Sequence, residues 1–95
     1  MAGGGHYSAA LIYIIQAAEM AAKEFLQLKN GVRVPYFLAC IPHLREAGLL
    51  SEEEEMELRR INTMRNLAIH SGLPISKDDY ESARKNILKL TEKLK

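Results

Sequence analysis

The chain has 95 residues, 47% of them hydrophobic and 26% charged, with a formal net charge of +1. That length sets a single small domain, and the charged fraction excludes a disordered tail. The near-neutral balance excludes a strongly basic field for nonspecific capture of long nucleic acid, and leaves room for a small local phosphate site.

The chain opens Met1-Ala2-Gly3-Gly4-Gly5, so residues 1–7 are expected to be a flexible leader and residues 8–95 a single helical domain. The first predicted helix runs from Ser8, a fitting N-cap, to Lys29, with Asn30-Gly31 as its stop. Its polar residues Gln16, Glu19, Lys23 and Gln27 fall on one narrow stripe. The rest is mostly apolar or alanine, which predicts a helix buried over most of its surface. The apolar run from Ala9 to Ile15 is too short to span a bilayer, and no basic segment precedes it as in a signal peptide. A cytoplasmic protein with no membrane partner is expected. The one cysteine, Cys40, cannot form an intrachain disulfide and fits a reducing compartment. It lies in the apolar run Phe37-Leu38-Ala39-Cys40-Ile41, as a core residue would.

The second predicted helix starts near Pro35, a good first-turn residue, and runs to about Ala47, with Gly48 ending it. Pro42 lies inside and should kink it or split it in two. The third begins at Ser51, where Ser51 and Glu54 fit a capping box and Glu52, Glu53 and Glu54 suit the positive end of the helix dipole. This acidic run reads as a solvated helix start in preference to a metal site. The helix ends near Ser71-Gly72, with Pro74 beyond it. The fourth begins at Ser76, with Asp79 in the capping-box position and Tyr80, Ala83, Ile87, Leu90 and Leu94 as an apolar stripe. Lys85, Lys89, Lys93 and Lys95 read as its solvated face. The fold class is therefore all-α, an up-and-down four-helix bundle with a kinked or split second helix.

The chemistry gathers at the end of the third helix, in Arg65-Asn66-Leu67-Ala68-Ile69-His70. An arginine offers phosphate a planar fork of donors, and a histidine exchanges a proton near neutral pH. Asn62, Asn66 and His70 are four apart and line one polar stripe, with Arg59 and Thr63 beside it. Arg65 projects elsewhere, in angle between Ile61 and Leu58, where a charge needs a partner. The structural alternative pairs Arg65 with Glu19 or Glu24 of the first helix and leaves His70 merely closing the third. No metal-ligand spacing joins His6, His43 or Cys40 to His70, and no phosphate loop or dinucleotide fingerprint is present, so no cofactor or metal is expected.

This grouping resembles the Arg-Asn-x-x-x-His signature of HEPN domains, helical bundles many of which are metal-independent ribonucleases. The resemblance covers Ser8 to Lys95 in layout. It implies a homodimer whose third helices line a shared cleft, and an RNA substrate. Arg65 and His70 would be the catalytic pair, with Asn66 positioning them or the phosphate. The 2′-hydroxyl would attack the adjacent phosphorus and leave a 2′,3′-cyclic phosphate. A toxin or defence role and an antitoxin or other regulatory partner belong to the same implication. Many HEPN toxins carry a tyrosine two residues after the histidine; Gly72 stands there instead, which removes the basis for regulation through that tyrosine. The alternative within the family is a noncatalytic module for dimerisation, nucleotide binding or partner binding.

Overall fold

The computed structural model describes residues 2–95, with side chains from His6 onward. Met1 of the expected leader lies outside the described residues. Four helices follow one another: α1 (Ala2–Asn30), α2 (Phe37–Glu46), α3 (Glu52–Ser71) and α4 (Lys77–Lys93), with no strand among the described residues. The all-α bundle read from periodicity is the observed class.

The helix boundaries follow local chemistry. At Ser51 both halves of the capping box form: the hydroxyl accepts from Glu54 N at 3.1 Å, and the Glu54 carboxylate accepts from Ser51 N at 2.9 Å. At Ser76 the hydroxyl accepts from Asp79 N at 3.1 Å. These contacts satisfy amides that a helix start otherwise leaves open. Gly31, Gly48 and Gly72 end the first three helices at φ of 67°, 80° and 66°, a left-handed conformation that glycine adopts without strain. At Gly48 the Gly48 and Leu49 amides turn back onto the Arg45 and Leu44 carbonyls, both at 3.0 Å.

Three expectations require correction. Helix α1 starts at Ala2, so Ser8 lies within it and not at its cap. The Tyr7 ring packs on Tyr80 at 5.6 Å, which holds the helix on the N-terminal side of Ser8. Helix α2 begins at Phe37 after an extended Tyr36, so Pro35 precedes the helix and is not in its first turn; of the two outcomes expected at Pro42, the helix is not split there. Pro42 faces solvent, so the Leu38 carbonyl that lacks its amide partner can be hydrated. Lys93 is no free solvated cation: its Nζ donates to Leu49 O at 2.9 Å and to both Glu54 oxygens at 2.9 and 2.8 Å. One chain fully buries the α1 stripe Leu11, Ile15, Ala18, Ala22 and Leu26 and leaves Tyr13, Met20 and Leu28 exposed at 72%, 69% and 75%, the surplus apolar surface expected of this helix.

The core joins that stripe to Phe37, Cys40, Ile41 and Leu44 of α2, Leu58 and Ile61 of α3, and Ala83, Ile87 and Leu90 of α4. Burial of Cys40 pushes its thiol up to about 11, so it stays a protonated, inert packing group.

The arrangement lengthwise positions the site. At about 1.5 Å per residue α1 is about 43 Å long and α2 about 15 Å, in a molecule 44 Å along its longest axis. Lys93 ties the end of α4 to the start of α3, and Tyr7–Tyr80 joins the starts of α1 and α4. The last turns of α3 therefore lie level with the first turns of α1. Arg45 of α2 meets Glu55 in the first turn of α3, and α2 is too short to flank the far half of that helix. One side of α3 beyond its midpoint is thus left without a covering helix.

Candidate functional site

Helix α3 buries Leu58, Ile61 and Asn62. With about 100° per residue, Arg65 falls within about 40° of both Ile61 and Leu58, on the inward face. It is half-buried, and its Nε is buried with no hydrogen-bond partner. The expected structural partner is engaged elsewhere, since Glu19 holds Lys23 at 2.9 Å, and Glu24 is exposed. The other arginines of α3 are committed: Arg59 pairs with Glu55 at 2.8 Å and Arg60 with Glu57. Arg65 is thus a half-buried cation with an empty donor, which a structural arginine rarely is.

Asn66 is half-buried and His70 is exposed in the last turn of α3. No hydrogen bond joins Arg65, Asn66 and His70 to one another within the chain. By helix geometry Arg65 and His70 diverge by about 140° and stand about 7.5 Å apart along the axis. The Asn66 and His70 stripe opens on the side of α3 that α2 does not reach. Helix α3 therefore presents an inward guanidinium and an outward imidazole about the uncovered flank.

Asn62 completes the stripe one turn before Asn66. It is the buried polar residue of the described core, 7% exposed, and was not among the expected site residues. Its spacing of four from Asn66 was the available signal. Thr63 donates its hydroxyl hydrogen to the Arg59 carbonyl at 3.1 Å, which leaves it only acceptor capacity. Gly72 acts as the left-handed C-cap of α3; a tyrosine at this position would be strained, so the departure from the toxin pattern is also a helix stop.

The electrostatic surroundings are acidic at the start of α3 and uncommitted at its end. The Lys93 ammonium and the Ser51 amide hold Glu54 below the usual carboxylate range. Arg59 and Arg45 do the same for Glu55, and Arg60 for Glu57. Those carboxylates are occupied by cations, and no group of three or more His, Cys, Asp and Glu residues among the described residues is placed to hold a metal ion.

Among known proteins, the family model described as ribonuclease HepT-like matches residues 7–94. No curated protein and no solved structure matches the chain. No helix of the described residues is long and apolar enough to cross a membrane.

Proposed function

The chain belongs to the ribonuclease HepT-like family, and from that premise we propose that it is a metal-independent endoribonuclease whose working pair is Arg65 and His70. The observation that carries the reading is the unpaired Arg65, with a buried and unsatisfied Nε on the inward face of α3. Turned toward the cleft beside His70, the long Arg65 side chain gives that donor a phosphodiester oxygen as its partner. Arg65 then holds the two nonbridging oxygens in its fork and stabilises the charge that builds on them as phosphorus becomes five-coordinate. His70 takes the proton of the 2′-hydroxyl as O2′ attacks phosphorus, and the P–O5′ bond breaks. The departing O5′ accepts a proton, from the second histidine of a dimer or from water. The products are a 2′,3′-cyclic phosphate and a 5′-hydroxyl. Asn66, between the two on the helix, positions the phosphate.

The angular divergence of Arg65 and His70 is the reason for proposing a homodimer. A second copy set against the uncovered flank of α3 closes a cleft over both residues and brings its own pair opposite. The exposed Ile69, at 46%, gives that contact an apolar side chain beside Asn66 and His70. A regulatory or antitoxin-like protein would act by covering the same cleft, and not through a tyrosine two residues after His70, since Gly72 stands there.

The test is cleavage of single-stranded RNA by the purified protein in EDTA. Cyclic phosphate ends, with matched DNA left intact, are expected. Intact RNA together with a stable partner or nucleotide complex supports the noncatalytic module instead.

A further inference from the structure

On the flank of α3 away from Asn66, a cavity of about 120 Å³ is lined by Met64, Leu67, Leu73, Pro74, Ile75 and Asp79. Leu67 lies one turn before His70 and about 60° from it around the helix, so the cavity opens beside the proposed cleavage group. Its walls are apolar, with Leu67 and Leu73 half-exposed as a rim. One charged residue lines it, Asp79, whose carboxylate takes part in no ion pair or side-chain hydrogen bond among the described residues. Asp79 is close enough to Arg60 to help raise the pKa of that arginine.

We propose that this cavity is a base-recognition site and that it selects guanine, with Asp79 as the specificity-determining residue. Apolar walls suit the faces of a flat heterocycle. A carboxylate only accepts hydrogen bonds and favours two adjacent N–H donors. Among the RNA bases only guanine presents that pair, at N1 and the N2 amino group. Adenine and cytosine set an amino donor beside an acceptor nitrogen, and uracil sets its one donor between two carbonyls. A cationic side chain of a partner protein is the rival occupant. The apolar walls oppose it, because they would strip water from a charged head, whereas a flat neutral base gains from the same contact. The inference rests on the ribonuclease reading for its RNA ligand, but it is testable by binding alone.

The experiment uses the full chain with guanosine 3′-monophosphate and adenosine 3′-monophosphate as probes. Affinity is measured alongside the NMR shifts of the Leu67 and Leu73 methyl groups. The guanosine nucleotide should bind at least tenfold more tightly and should move both methyls. Asp79→Asn should lower guanosine affinity roughly fivefold to a hundredfold, the scale of a lost bidentate base contact, and erase the preference. The helix cap should survive, because Ser76 Oγ bonds the Asp79 backbone amide. Leu73→Ala provides a second variant at an exposed loop position, and should weaken both nucleotides by removing a wall. Equal affinity for the two nucleotides, or a preference untouched by Asp79→Asn, overturns the proposal. So does an arginine-containing peptide that displaces the nucleotide from the methyl site at lower concentration. Guanosine binding without RNA cleavage would defeat the ribonuclease reading and leave this site standing; cleavage with no base preference would do the reverse.

Discussion

Arg65 keeps a buried nitrogen without a partner, a cost of about 1–3 kcal/mol for a polar group out of water. A residue kept for the fold would not carry that cost, and substitution should separate the two roles. Arg65→Met should abolish RNA cleavage while raising the melting temperature by about 4–8 °C, the shift that roughly 1 kcal/mol gives in a domain of this size. A fall in melting temperature would assign Arg65 to the fold. Arg65→Lys should recover only part of the activity, since lysine lacks the bidentate fork. His70→Ala should lower the cleavage rate by about 10²–10⁴-fold, the usual contribution of a proton-transfer group, and leave circular dichroism and melting unchanged because the side chain is exposed. Asn66→Ala should weaken cleavage less. The inward angle of Arg65 could be read from its spacing to Leu58 and Ile61. Its lack of a partner could not, because Glu19 had two cations within plausible reach and only tertiary packing decided that Lys23 would hold it.

Glycine and serine caps place α3, and through it the site. Gly72 sits at φ 66°, so Gly72→Ala should cost about 1 kcal/mol and loosen the turn that carries His70; thermal melting together with His70 NMR line shape would show both effects. The Lys93–Glu54 contact makes the α3 start acid-sensitive. Lys93 holds the folded pKa of Glu54 below its ordinary value of 4.5. Its contribution is therefore complete above that value and is lost as pH falls through the lower folded one. Melting temperature should drop as pH falls below about 4.5, and Lys93→Met should flatten that dependence. The caps at Ser51 and Ser76 and the stops at Gly31, Gly48 and Gly72 were legible because each rests on neighbouring residues alone. The start of α1 was not, because Tyr80, distant in sequence, packs on Tyr7 and carries helix past Ser8. The reach of Lys93 across to Glu54 was equally hidden, since a lysine on a helix C-terminus reads as solvated.

At the scale of the whole molecule, α1 and α3 leave more apolar surface in water than one chain's fold can use. Tyr13, Met20, Leu67 and Ile69 are each more than two-fifths exposed. The sequence foretold this excess as deeper burial of α1; a second chain is the proposed means of achieving it. Sedimentation should show a dimer at micromolar concentration, and Ile69→Glu should give a folded monomer with little cleavage; a wild-type monomer at high micromolar concentration would remove the shared cleft from the account. The most direct test of the central claim is cleavage of a single-stranded RNA by the wild-type protein in EDTA, with the product ends identified. The expected products carry 2′,3′-cyclic phosphate and 5′-hydroxyl ends and are lost in His70→Ala and Arg65→Met. RNA that stays intact, or cleavage that persists in both variants, would contradict that claim.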